Sequence, residues 1–238
     1  MKGKLRVLAT KAWELFCHFV WPVTCPICGR LGTVGCPSCL DSLLAEMPDR
    51  CLDCGGAPFP CGVQGHVAFV RVATWHEGNS RVVVHLAKYA GRRRLAFEMG
   101  KAIGRFYSEA PSVTLVPIPL HEGSSRSYNQ SACLARGMAQ VWGGEIREGL
   151  RWTRAFPSQV GRNSFERRAL PKDAFRWEGP PIEGPVLLVD DVFTTGTTLL
   201  RASEALENSG MHLRGAYCWA VSPLSTLTVT WKEDKVLV

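Results

Sequence analysis

Short apolar stretches alternate with helical patterns from Val67 onward, and this alternation constrains the fold more than any other feature of the chain. The predicted strands are residues 66–75, 112–120, 184–192 and 211–222. The predicted helices are residues 79–110, with a break near Gly91, 129–143, and 197–210, which ends at Gly210. Strands that alternate with helices form parallel sheets covered by helices on both faces, so the sequence predicts an α/β fold.

Two adjacent carboxylates, Asp190 and Asp191, occur within the stretch VLLVDDVFTTGTTL, residues 186–199, as a buried strand ends. Ligands of open parallel sheets bind at the carboxyl ends of the strands. An Asp N-cap would explain one aspartate but not the second. Two carboxylates suit the vicinal hydroxyls of a ribose, or a magnesium ion held through water.

A loop of threonine and glycine, residues 194–198, follows the two aspartates and runs into a predicted helix. Such a loop offers backbone N–H groups and hydroxyls to a phosphate, and Gly196 permits close approach of the backbone. No GK[ST] sequence follows, so this is not a Walker loop. Together with the aspartates, the loop predicts a site for a ribose 5-phosphate.

Ten cysteines are present, and three CxxC pairs lie within residues 25–54. Two such pairs supply the four thiolates of a tetrahedral zinc site, whereas disulfides would need an oxidising compartment that nothing in the sequence indicates. The most compact predicted zinc site comprises Cys25, Cys28, Cys36 and Cys39. Four thiolates leave no open coordination position, so its role would be structural.

A possible second site begins with Cys51 and Cys54 and continues with Cys61. Gln64 stands where a further CxxC pair would end, so the expected fourth ligand is missing. His66 is the alternative, although a lone histidine after a Gly-rich turn is more typical of a surface residue. We therefore predict one intact zinc site and one incomplete site.

The net charge of the 238-residue chain is +7, which favours an anionic partner. Most of the positive charge lies in residues 88–105 and 147–176, the latter interleaved with Trp152, Phe156 and Phe165. Basic residues with aromatics suit single-stranded nucleic acid. The alternative is that the arginines solvate helix faces and the aromatics fill the core.

An amphipathic helix is predicted over residues 1–24, ended by Pro22, and packed on the protein itself or, alternatively, on a membrane surface. The sequence contains no run of about 18 uncharged apolar residues and no signal-peptide cleavage site after the first helix. We therefore expect a cytoplasmic protein without a transmembrane segment.

The stretch around Asp190 and Asp191 resembles the phosphoribosyl-pyrophosphate (PRPP) motif of type I phosphoribosyltransferases. With the CxxC pairs before it, the chain resembles the ComF family, which is associated with bacterial DNA uptake in natural competence. Three further segments, residues 88–96, 116–135 and 151–175, resemble that family's lysine-glycine segment, its VPVPL…RGFNQ segment and its Arg/Thr-rich hood. The resemblance covers residues 25 to about 220.

The resemblance implies a zinc-ribbon module at residues 25–66 and a phosphoribosyltransferase-like domain at residues 67–238. Pro117, Ile118 and Pro119 would lie near the pyrophosphate, and magnesium would accompany PRPP. The residues implied in PRPP binding are Asp190, Asp191, Thr194, Thr195, Gly196, Thr197, Thr198, Lys88, Arg126 and Asn129. Purine-using relatives often carry an acidic residue at the position of Thr194, so the absence of an acid there argues against purine salvage. No catalytic acid or base is assigned.

Three functions remain open at this point. The first is a PRPP-binding protein that supports DNA uptake and contacts single-stranded DNA or uptake proteins. The second is a metabolic phosphoribosyltransferase of nucleobase salvage with a structural zinc module. The third is an interaction adaptor that no longer binds PRPP.

Overall fold

The computed structural model describes residues 23–110, 112–121, 123–124, 126–154 and 170–223. Most of the predicted helix over residues 1–24 lies outside these residues. So do Cys17 and residues 155–169, the middle of the Arg/Thr-rich segment with Phe156 and Phe165. No helix among the described residues is long and apolar enough to cross a membrane.

A six-stranded sheet forms the centre of the fold, with the strand order β1-β2-β8-β7-β3-β4. Its strands are β1 (Arg50–Cys51), β2 (Phe69–Trp75), β3 (Thr114–Pro117), β4 (Glu145–Ile146), β7 (Pro185–Phe193) and β8 (His212–Val221). All neighbours are parallel except β1, which pairs antiparallel with β2. The predicted α/β fold with a mostly parallel sheet is thus confirmed.

Helices cover both faces of this sheet, as the alternation predicted. The helices are α1 (Pro37–Asp41), α2 (Gly78–Tyr89), α3 (Arg93–Phe106), α4 (Gln130–Trp142) and α5 (Thr197–Glu207). Helices α2, α3 and α4 share one apolar core with Leu187 and Val189 of β7. Val186 and Leu188 point the other way, into a core formed with α5 and the two-stranded ribbon of β5 (Leu150–Trp152) and β6 (Phe175–Trp177). Because successive side chains of a strand point to opposite faces, β7 contributes residues to both cores.

Two glycines let α3 and α4 approach closely. A Cβ atom on Gly100 would lie 2.1 Å from the carbonyl oxygen of Leu134, and one on Gly137 would lie 2.1 Å from that of Phe97. Real Cβ atoms do not approach backbone oxygens so closely, so only glycine fits at both positions. This contact fixes the position of α4, whose first turn faces the end of β7.

The cysteine-rich segment packs directly on the sheet and its helices. β1 supplies the edge strand, and the Leu52 amide donates to the Ala68 carbonyl at 3.0 Å. The Arg71 guanidinium on β2 donates to Asp49 at 3.0 Å and to the fully buried Glu109 at 3.2 Å. The domain boundary at residue 66 stays a prediction. The contacts above join the cysteine-rich segment before it to the sheet that follows it.

Candidate functional site

The acid pair, Asp190 and Asp191, lies in the carboxyl-terminal part of β7, just beyond the residues that pair with β3. The Asp190 carboxylate accepts a hydrogen bond from the Asp191 amide at 2.8 Å and another from the Ser131 hydroxyl at 3.0 Å. Asp191 is buried, and its Oδ1 lies 2.9 Å from the Lys88 ammonium. The structure thus brings Lys88, which lies about a hundred positions earlier in the sequence, onto the acid pair.

The electrostatics of the acid pair are asymmetric. Burial, and then the adjacent Asp191 charge, raise the pKa of Asp190 to about 7 although Lys88, the Asp191 amide and Ser131 oppose the shift. Burial alone would lower the pKa of Lys88, but the charge and hydrogen bond of Asp191 raise it overall. Lys88 therefore stays an ammonium that pairs with Asp191, and the raised pKa of Asp190 allows this carboxyl to hold a proton near pH 7.

The phosphate loop, residues 194–198, turns from β7 into α5. Gly196 has φ of 78°, a left-handed conformation that glycine adopts without strain, and it is the N-cap residue of α5. No side chain caps this helix, and the hydroxyls of Thr195 and Thr197 lie 3.0 Å apart. The uncapped N–H groups and these hydroxyls are donors that suit a phosphate.

Arg126 and Asn129 lie in the segment that leads from β3 to α4. Asn129 caps α4, since its Oδ1 accepts from the Ser131 amide at 3.0 Å, and its Nδ2 donates to the Ile118 carbonyl at 2.9 Å. Arg126 donates to Gln130 at 2.9 Å and lies over the Tyr89 ring at 5.8 Å. Asn129 therefore positions Ser131 against Asp190, and its predicted ligand contact stays a prediction.

The first cysteine group comprises Cys25, Cys28, Cys36 and Cys39, whose sulfur atoms all lie within 4.8 Å of one another. The Cys36 sulfur lies 3.7 Å from those of Cys25 and Cys28. In a tetrahedral site with Zn–S bonds of about 2.3 Å, neighbouring sulfurs are about 3.8 Å apart. This group can therefore hold a structural metal ion such as zinc.

The second cysteine group comprises Cys51, Cys54, Cys61 and His66, and its ligand atoms also lie within 4.8 Å of one another. The His66 Nδ1 atom lies 3.5 Å from the Cys51 sulfur and 3.3 Å from that of Cys61. A tetrahedral zinc site with one nitrogen would place that nitrogen about 3.6 Å from each sulfur. This geometry favours the alternative in which His66 is the fourth ligand, and a complete second site stays a prediction.

No protein-family model matches the chain. The chain is similar to the competence protein ComFC of Streptococcus pneumoniae, with 26% identity over 188 residues, 76% of this chain and 78% of that protein. This similarity, together with the cysteine groups, confirms the resemblance to the ComF family.

Two side chains near the acid pair were not predicted. Ser131 donates to Asp190, and His76 follows the carboxyl end of β2. Burial, and then the charges of Lys88 and Arg81, lower the pKa of His76, while Asp191 opposes the shift. Ser131 lies in the helical part of the segment 116–135 and His76 follows a strand, but no motif singled out either residue. Only the convergence of strand ends at one edge of the sheet could have indicated them.

Proposed function

We propose that this protein binds PRPP, or a related phosphoribosyl ligand, as a phosphoribosyltransferase-like protein of the ComF type that supports DNA uptake. The observation that carries the proposal is the acid pair at the end of β7, followed by the uncapped helix start at the phosphate loop. Carboxylates accept the ribose hydroxyls and amide donors take the 5-phosphate. The competence role rests on the similarity to ComFC.

The residues of the site would act by positioning. Asp190 and Asp191 would hold the ribose, residues 194–198 the 5-phosphate, and Arg126 the far end of the ligand. Bound magnesium would supply charge neutralisation at the pyrophosphate. Cleavage at C1 develops positive charge on the ribose and negative charge on the departing pyrophosphate, so the nearby carboxylates and cations would stabilise both.

The test is a calorimetric titration of metal-replete protein with PRPP and magnesium, beside the Asp190→Asn/Asp191→Asn variant. Amides keep the shape of the site but remove both charged acceptors, and hydrogen bonds to charged groups are worth roughly 1.5–3 kcal/mol each. We expect the affinity of the variant to fall by at least about a hundredfold. A folded wild-type protein that does not bind PRPP would refute the proposal and leave the adaptor function.

Single-stranded nucleic acid is a second candidate ligand, favoured by a group of arginines around α2. The group comprises Arg81, Arg92, Arg93 and Arg126. Within the described part of the chain, none of these arginines forms an ion pair with an acidic side chain. Tyr89 is 56% exposed, with the Arg126 guanidinium over its ring at 5.8 Å and the His85 ring at 4.9 Å between centroids. Cations around an exposed ring suit a strand with stacked bases.

Salt dependence separates this candidate from a purely metabolic phosphoribosyltransferase. Contacts from these four arginines to phosphates would give a slope of log affinity against log salt of about −3 for a single strand. The Arg81→Gln/Arg92→Gln variant should reduce that slope by about half. The Arg136→Gln/Arg214→Gln control removes the same charge from arginines that already pair with Glu148 and Glu109, and should change the slope little. An unchanged slope in the first variant would exclude this surface.

A further inference from the structure

Lys88 occupies an unusual place for a residue expected to contact a ligand phosphate. Its ammonium forms an ion pair with Asp191 at 2.9 Å, and Lys88 and Asp191 side chains are only 19% and 13% exposed. No other cation forms an ion pair with either member of the acid pair within the described residues. The two carboxylates thus share a single bound counter-ion.

A hydrogen bond holds the backbone next to Lys88, whereas a lysine side chain is intrinsically flexible. The Tyr128 hydroxyl donates to the Ala87 carbonyl, and α2 ends two residues later at Tyr89. A lysine side chain is a flexible four-carbon stem with a compact charge, so its ammonium can change partners while α2 stays in place. Arg126 lies close enough for its charge to oppose that of Lys88, and it has no acidic partner of its own among the described residues.

These contacts place Lys88 in competition with a bound ribose. Asp191 presents little open surface, and Lys88 covers its Oδ1 atom. A ribose hydroxyl that binds this oxygen must displace the ammonium, which leaves a largely buried cation without an anionic partner. The anion within reach of both Lys88 and Arg126 would be the pyrophosphate of the ligand.

We propose that Lys88 is a displaceable counter-ion, which holds Asp191 in the ligand-free protein and transfers to the pyrophosphate when ribose hydroxyls take its place. This inference rests on the proposed function. Lys88 is then a selectivity residue. It opposes phosphoribosyl ligands that have no anionic group at C1 and favours those that carry pyrophosphate.

The test compares two ligands on Lys88→Met, each titrated by calorimetry with magnesium present. Ribose 5-phosphate displaces Lys88 without offering a new partner, so the variant should bind it about threefold more tightly than the wild type. PRPP supplies the new partner, so the variant should bind it about tenfold more weakly. The matched control is Lys101→Met, which removes a lysine that pairs with Glu98 on α3 and should change neither affinity.

The outcomes separate the inference from the proposed function. Opposite changes for the two ligands support the displaceable counter-ion. Weaker binding of both ligands would mean that Lys88 only maintains the site, and unchanged ribose 5-phosphate binding would mean that it only contacts pyrophosphate. Either result overturns the inference while PRPP binding by the wild type stands. A wild type that binds neither ligand refutes the proposed function and the inference with it.

Discussion

Replacement of His66 by alanine tests whether the second cysteine group holds a metal ion. The His66 Nδ1 atom is 3.5 and 3.3 Å from the sulfurs of Cys51 and Cys61, close to the edge of about 3.6 Å that a tetrahedral zinc site requires. A surface histidine would have no reason to adopt this position. The sequence alone favours a surface histidine, so the measured metal content decides whether His66 is a surface residue or a metal ligand.

The magnitude follows from the number of ligands. Structural zinc binding in small peptides is worth roughly 10–16 kcal/mol, or about 3 kcal/mol for each of four ligands. Loss of one ligand should therefore weaken the second site by about a hundredfold. The first cysteine group shares no ligand with it and should keep its ion.

The assay is metal content per chain by mass spectrometry after dialysis against a weak chelator. The wild type should retain two ions and His66→Ala one. His212→Ala serves as the control, because His212 is an exposed residue at the start of β8, and it should retain two. A wild type with a single ion, or a His66→Ala protein with two tightly bound ions, would refute the reasoning.

Two further predictions concern stability. Gly100→Ala should destabilise the fold by more than about 2 kcal/mol in urea unfolding, because the new Cβ would lie 2.1 Å from the Leu134 carbonyl. Helix propensity alone would instead predict a gain of about 1 kcal/mol, so the sign of the change is the test. The raised pKa of Asp190 stabilises the fold at low pH, where the folded state holds the proton, and this contribution is lost as the pH rises from about 4 to about 7. The Asp190→Asn variant should lose less unfolding free energy between pH 5 and pH 7.5 than the wild type, as measured by urea unfolding. An equal loss in both proteins would show that Asp190 does not cause this pH dependence.

Long, strongly patterned elements could be predicted from the sequence, and short ones could not. The apolar run of residues 184–192 and the helical spacing of residues 79–110 became β7 and the pair α2 and α3. β4 has two residues and the β5–β6 ribbon three in each strand, which is too few for an alternation to be recognised. β1 was missed for the same reason, and because its Cys51 carried a metal-ligand pattern instead.

The site divides in the same way. Asp190, Asp191 and the phosphate loop are contiguous, so one local pattern predicted them together. Lys88 entered through the family resemblance, and its partner Asp191 became known only from the fold. Ser131 approaches Asp190 from 59 residues away, because the close crossing of α3 and α4 brings the start of α4 to the end of β7. Contacts of that kind depend on the packing of helices, which periodicity does not encode.

β2 lies between the second cysteine group and the strands that carry the acid pair. At its amino end, Phe69 pairs with Cys51 of the second group, and at its carboxyl end the chain continues to His76 and α2. Between these ends β2 pairs with β8 over its length, from Phe69↔Gly215 to Trp75↔Val221, so its position does not depend on β1. A metal ion at the second group would therefore stabilise the short antiparallel edge, where an exposed strand would invite association with other chains. Because the acid pair lies on β7, beyond β8, its geometry depends on the parallel strands and on α4 rather than on the metal.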